Sequence, residues 1–159
     1  SQEYFICNLM DYYIQKGKID EGLAQMDAVL AKNSTPYFMY VKGVLQYEKK
    51  DYDGAIATFN QIIAEGKDFV AEAYSKIGDC SFFPAQEIVE ENSKLSMDDP
   101  KYAANEAKIK ELYEKALPFY EKAKEAKPDN RQLWGQYLLN IYWKLDKEKY
   151  NALEKELGY

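Results

Sequence analysis

Residues 37–63 read YFMYVKGVLQYEKKDYDGAIATFNQII, and this stretch predicts the fold of the whole chain. Apolar residues recur at helical spacing on both sides of the polar segment 48–53. Gly43 lies midway along the first predicted helix, and Ala55 and Phe59 lie one turn apart in the second. Small residues at a crossing point let two helices approach closely, so the stretch predicts a helical hairpin with an aromatic ring buried between its helices.

The same pattern recurs along the chain at a fixed period. Segment 17–23 aligns with segment 50–56 at an offset of 33 residues, and Gly78 lies 35 residues after Gly43. A period of this size is typical of helical repeat arrays. We therefore predict an all-α single domain over residues 1–159. It would consist of four helical units at about residues 3–35, 36–69, 70–130 and 131–158.

The third unit carries an insertion. Gly78 precedes Ala116 by 38 residues, whereas Gly43 precedes the equivalent Ala55 by 12 residues. Apolar residues keep helical spacing through the added segment. We therefore predict that an extension at about residues 83–112 elongates both helices of the third hairpin.

Several residue types mark the expected ends and breaks of the helices. Asp20 is expected to cap the second helix of the first unit. Asp99 and Pro100 are expected to begin the second long helix of the inserted hairpin, since Asp is a favoured cap and Pro a favoured first residue. Pro84 and Pro118 are expected to kink or interrupt their helices.

Composition excludes several classes of function. The net charge of −6 disfavours binding to a nucleic-acid backbone, and no apolar run is long enough to cross a membrane. The sequence has no histidine, which removes histidine-based catalytic and zinc sites, and we predict neither a metal nor a cofactor.

Cys7 and Cys80 follow no metal or redox spacing and are expected to be thiols. Asp51 and Asp53 are acids at a helix start rather than calcium ligands, because the further ligands of a calcium loop are missing.

These residues resemble the tetratricopeptide repeat, whose pattern is an aromatic, a Leu-Gly step and a Tyr in the first helix, followed by Ala, an aromatic and a terminal Pro in the second. The resemblance covers essentially the whole chain outside the inserted hairpin. The best-matching residues of the third unit are Tyr74, Ile77, Gly78, Ala116, Tyr120 and Pro128. The first and fourth units match less well, as expected of capping units.

The resemblance implies a right-handed α-α superhelix whose first helices line a concave, aromatic-rich groove. The implied function is a non-catalytic scaffold that binds a protein or peptide in this groove. The first unit would contribute Tyr4, Cys7 and Asp11 to the lining. The predicted ligand-binding residues are Tyr37, Tyr40, Tyr47, Lys76, Asp79, Phe82, Tyr142 and Trp143, among which Tyr40, Tyr47, Tyr142 and Trp143 are expected to expose their rings.

Two alternatives to a peptide groove remain open. The aromatic residues could pack the interfaces between units and never contact a ligand. The chain could also be a carbohydrate-binding helper protein of a bacterial envelope glycan-uptake system, since aromatic rings suit the apolar faces of sugars. The carboxylate clamp found in one subclass of the family is not expected, because only Lys76 keeps a cation among the corresponding positions.

The first residue gives an expectation about location. The chain begins at Ser1 rather than at Met, and helical spacing starts almost immediately. It resembles exported bacterial tetratricopeptide proteins whose leader has been removed. An exported or periplasmic location is therefore favoured over a cytoplasmic one.

Overall fold

The computed structural model describes residues 2–159, with side chains from residue 8 onward, and these residues form eight α-helices and no strand. The predicted all-α class of helical hairpins is confirmed. The helices are α1 (Gln2–Gln15), α2 (Ile19–Lys32), α3 (Pro36–Glu48), α4 (Tyr52–Glu65), α5 (Val70–Asn92), α6 (Pro100–Ala126), α7 (Gly135–Leu145) and α8 (Lys147–Leu157). A short 3-10 turn, Arg131–Leu133, precedes α7. None of the described helices is both long and apolar enough to span a bilayer.

The chain divides into two compact units, Ser1–Lys76 and Ile77–Tyr159. The first unit contains α1 to α4 and the beginning of α5, and the second contains the rest of α5 with α6, α7 and α8. Within the first unit, α3 packs against both α2 and α4. Within the second, α7 packs against both α6 and α8.

Local chemistry fixes the helix ends of the α3–α4 hairpin. The Thr35 side chain accepts a hydrogen bond from a backbone N–H of the first turn of α3, and Pro36 is the first residue of that helix. The Asp51 carboxylate accepts a hydrogen bond of 3.0 Å from the Gly54 N–H, as expected of a helix cap. Gly66 ends α4 in the left-handed conformation, which glycine adopts without a steric cost.

The start of α2 differs from the prediction. The helix begins at Ile19 with Lys18 in the capping position, so Asp20 lies inside the first turn and is not the cap. The Asp20 carboxylate instead accepts a hydrogen bond of 2.5 Å from the Lys49 ammonium group, which follows α3. An acidic residue in the first helical turn is also favoured by the helix dipole, and the sequence could not distinguish the two positions.

The interior of the first unit depends on the close approach of α3 and α4 at Gly43. A Cβ atom at this position would lie 2.6 Å from the Phe59 ring, which is fully buried. Leu45, also fully buried, packs with Tyr13 and Met26 on the side of α3 that faces α1 and α2. The predicted burial of an aromatic ring beneath Gly43 is confirmed.

The inserted hairpin is helical in both arms. Helix α5 has 23 residues and α6 has 27, so the predicted elongation of both helices is confirmed. Asp99 caps α6 and Pro100 is its first residue, as predicted. Neither Pro84 nor Pro118 interrupts its helix, because both residues lie inside continuous helices. The alternative, a kink at each proline, stays a prediction. Each proline removes one backbone hydrogen bond, and packing of the long helices compensates for that local loss.

The second unit contains the equivalent close approach at Gly78. A Cβ atom there would lie 2.7 Å from the ring of Tyr120. This ring cannot shift easily, since it is fully buried and its hydroxyl donates a hydrogen bond of 2.7 Å to Asp79. Trp134 is also buried, and its indole N–H donates to the Lys127 carbonyl oxygen at 3.1 Å, which fixes the connection between α6 and α7.

We predict that Gly78→Ala destabilises the protein, because the added methyl group forces the Tyr120 ring out of its position. The expected loss in the free energy of unfolding is about 1–3 kcal/mol, measured by urea or thermal unfolding. Gly135→Ala is the matched control, since a Cβ atom there would lie 3.6 Å from its nearest neighbour, an ordinary contact distance. Equal melting temperatures for the two variants would contradict the packing described above.

Candidate functional site

Three predicted ligand-binding residues lie together on α3 of the first unit. Tyr37, Tyr40 and Tyr47 are all half-buried, and their spacing places them on one side of the helix. We refer to these three residues as the tyrosine face. Tyr4 and Cys7, which were also expected to line this side of the first unit, lie outside the residues whose side chains are described.

Phe69 holds one end of the tyrosine face in place. Its ring is stacked on Tyr40 with centroids 5.3 Å apart and lies 5.6 Å from the Tyr37 ring. Tyr40 also contacts the buried Phe59 ring at 5.8 Å. Phe69 has a φ of 65°, which is unfavourable for a residue with a side chain. Such a conformation persists only where the surrounding contacts stabilise it.

Sequence reasoning missed Phe69 because the residue belongs to a connection between helices. The signal that could have found it is an aromatic residue directly before α5, the first helix of the third predicted repeat unit.

A cation lies at the other end of the tyrosine face. The Lys76 ammonium nitrogen lies 5.4 Å from the centroid of the Tyr47 ring, within the range of a cation–π contact. The Tyr52 ring packs against Tyr47 at 5.7 Å. The structure therefore brings together four of the eight predicted residues, Tyr37, Tyr40, Tyr47 and Lys76, within the first unit.

Asp79 and Phe82 belong to the interior of the second unit. Their exposed fractions are 3% and 4%, so neither side chain presents a surface to a ligand in this structure. Asp79 accepts the hydrogen bond from Tyr120, and Phe82 packs edge-on against Tyr137 at 5.2 Å. The sequence placed both residues in a groove because it could not show that α6 and α7 cover this side of α5.

The half-buried Tyr137 packs against the buried residues around Asp79. Its ring is stacked on Tyr120 with centroids 4.7 Å apart. Burial, and then the nearby charge of Asp79, raise the pKa of the Tyr137 hydroxyl above its ordinary value. Sequence reasoning did not single out Tyr137, whose role depends on the packing of α7 against α6.

Tyr142 and Trp143 are adjacent in sequence but differ in environment. Tyr142 is buried, with 8% of its surface exposed, and its hydroxyl donates a hydrogen bond of 2.7 Å to Glu121 of α6. The expectation that its ring is exposed is therefore wrong, because α6 covers it. Trp143 is 60% exposed and contacts the Tyr150 ring at 5.0 Å.

The acidic and cysteine residues suggest no metal centre. The described part of the chain contains no cluster of three Cys, Asp or Glu side chains placed to hold an ion. Cys80 lies buried in α5, while the Cys7 side chain is not among those described. On α6, Glu111 forms ion pairs with Lys108 and Lys115, consistent with the surface pairing typical of exposed helices.

Comparison with known families finds a match for the part of the chain from α1 to α4. Residues 7–68 match the family model described as Tetratricopeptide repeat. Over these residues the chain is similar to tetratricopeptide repeats. The match includes the whole tyrosine face and the Gly43–Phe59 contact. Neither a curated protein nor a solved structure matches the chain.

We predict that Tyr120→Phe destabilises the protein, because it removes a buried hydrogen bond to the Asp79 carboxylate. The expected cost is about 1.5–3 kcal/mol, the range for hydrogen bonds to charged groups, measured by urea unfolding. Tyr137→Phe is the control, since its hydroxyl has no hydrogen-bond partner among the described residues and its ring stacks in the same cluster. A loss no larger than that of the control would argue against a structural role for Asp79.

We also predict that Tyr142 makes stability fall at alkaline pH. Burial, followed by the hydrogen bond to the Glu121 carboxylate, raises the pKa of its hydroxyl above the ordinary value of 10.0. The contribution of the protonated phenol is complete below pH 10 and decreases as the pH rises toward the raised folded-state pKa, because only the unfolded chain readily loses the proton.

The measurement is the urea midpoint of the wild type and of Tyr142→Phe between neutral and strongly alkaline pH. The variant is expected to lose less stability over this interval, since it has no phenol to ionise. An identical pH dependence in the two proteins would contradict the environment assigned to Tyr142.

Proposed function

We propose that this chain is a non-catalytic binding module whose tyrosine face takes an extended segment of a partner protein. Tetratricopeptide repeats generally form non-catalytic scaffolds that mediate protein–protein interactions. The tyrosine face lies within the matched region, residues 7–68, on the first helix of a repeat. This location is the observation that carries the proposal.

The arrangement of the three rings supports binding to a peptide. Tyr37 and Tyr40 are held by Phe69, and Tyr47 is held by Tyr52. Rings that are already ordered lose little conformational freedom on binding, which lowers the cost of association. Tyrosine also combines a large apolar surface with a hydroxyl group, and it is enriched among residues that dominate the energy of interfaces.

The charges near the tyrosine face indicate which peptides it favours. Lys76 lies beside Tyr47, so an acidic group of the peptide would be favoured at this end. A carboxylate clamp is not supported, because Val41, at a corresponding clamp position, is buried in the core and Asp11 carries the opposite charge. We therefore propose recognition of apolar and aromatic side chains, with one acidic contact near Lys76.

The test is selection of peptides from a random displayed library, followed by affinity measurement. Tyr47→Ala is expected to weaken binding of selected peptides by about tenfold, equivalent to about 1.4 kcal/mol, with little change in melting temperature. Tyr12→Ala is the matched control, since this tyrosine of the same unit is 47% exposed and lies on α1. Equal affinities for the two variants would contradict the proposal.

A second variant separates binding from folding. Tyr40 contacts Phe59 and Phe69, so Tyr40→Ala is expected to lower both affinity and stability. If Tyr47→Ala unfolds the protein instead of weakening binding, the tyrosine face serves interior packing and the proposed function fails.

A further inference from the structure

A cleft in the second unit lies where the elongated hairpin passes α7. Its volume is about 360 Å³, within the range of about 300–1,000 Å³ that is usual for small-molecule sites. The cleft is bounded by residues from the extended parts of α5 and α6 and from the C-terminal half of α7. We call it the hairpin cleft and define it by Gln86, Asn92, Glu106, Asn140, Trp143 and Lys144.

The polar groups of the hairpin cleft are held in fixed positions. The Gln86 amide nitrogen donates to the Tyr113 hydroxyl at 2.6 Å, and the Asn92 amide nitrogen donates to Glu106 at 3.1 Å. Glu106 also pairs with Lys144. The two opposite charges compensate one another, so the lining residues carry no net charge.

Hydrogen-bonding capacity remains after these internal contacts. The side-chain oxygens of Gln86 and Asn140 accept no hydrogen bond from the described residues, while the amide nitrogens of both already donate. Asn92 is 4% exposed, and its side-chain carbonyl oxygen has no partner within the described part of the chain. A buried acceptor without a partner is uncommon in folded proteins and marks a point where an additional donor is favoured.

An exposed aromatic ring forms one edge of the hairpin cleft. Trp143 is 60% exposed, and Tyr150 supports its ring from the side. The Lys147 ammonium group lies over one face of this ring, so a ligand would stack on the opposite face. Asn140 and Trp143 also line a neighbouring hollow of about 370 Å³. The surface is therefore continuous beyond the hairpin cleft along α7, with room for more than one ring of a ligand.

We propose that the hairpin cleft binds a neutral oligosaccharide, with one sugar ring against Trp143 and its hydroxyls bonded to the amide and carboxylate groups. Hydroxyls both donate and accept hydrogen bonds. The lining matches both functions, since the amide oxygens of Gln86 and Asn140 accept and the second N–H of each of these amides can donate, and it carries no net charge. Phosphate or a simple cation would instead require a surplus of one charge.

A peptide is a poorer match for this site than a sugar. Peptide interfaces depend on buried apolar anchors, whereas this lining mixes amide, hydroxyl and charged groups with apolar ones. The hairpin cleft is thus a specific site for the carbohydrate binding that was considered from the sequence. This site is separate from the tyrosine face.

The test uses the full chain and four neutral probes, maltohexaose, cellohexaose, laminarihexaose and xylohexaose. Trp134 is buried, so a change in tryptophan fluorescence on titration reports mainly on Trp143. At least one probe is expected to bind with a Kd below about 1 mM, confirmed by calorimetry. Trp143→Ala is expected to weaken this binding by at least about tenfold.

Two control variants test whether the loss of sugar binding is specific to Trp143. Met97→Ala, at the 79% exposed tip of the hairpin, should leave sugar affinity unchanged. Tyr47→Ala should also leave it unchanged, which separates this proposal from the proposed peptide site. Absence of binding to all four probes would overturn the proposal, as would equal affinities for the wild type and Trp143→Ala. Binding of library-selected peptides at Trp143, competing with or replacing the sugars, would also overturn it.

Discussion

The structure of each unit depends on a glycine that lets a helix lie directly on an aromatic ring. The ring of Phe59 packs directly against Gly43, and the ring of Tyr120 packs directly against Gly78. In both places a single added carbon would overlap the ring, because protein interiors are packed too closely to leave spare volume. These two contacts fix how closely the helices of each hairpin approach one another.

The two units use their aromatic residues differently. In the first, the rings of the tyrosine face are only partly covered and stay within reach of a ligand. In the second, Tyr120 and Phe82 are buried next to the Asp79 carboxylate, and the half-buried Tyr137 stacks on Tyr120. Similar residue types therefore serve recognition in our proposal for one unit and stability in the other, and the difference lies in which helix covers them.

Much of the fold followed from spacing in the sequence. The glycine–aromatic contacts, the lengthened hairpin and its start at Asp99 were all predicted, because each depends on local periodicity or on a residue's own chemistry. The structure differs from the predictions where a local preference of a residue competes with tertiary contacts. Pro118 carries a local cost that does not end α6, and Asp20 pairs with Lys49 rather than capping α2.

By itself, the sequence determined the helical repeat, the pairing of Gly43 with Phe59 and the residues of the tyrosine face. Tertiary structure alone decided that Tyr142 is buried while the adjacent Trp143 is exposed, and that the hairpin cleft exists. The physical reason is that periodicity specifies which residues share a side of a helix. Whether that side is covered depends on helices that are distant in sequence, as α6 covers Tyr142 through Glu121.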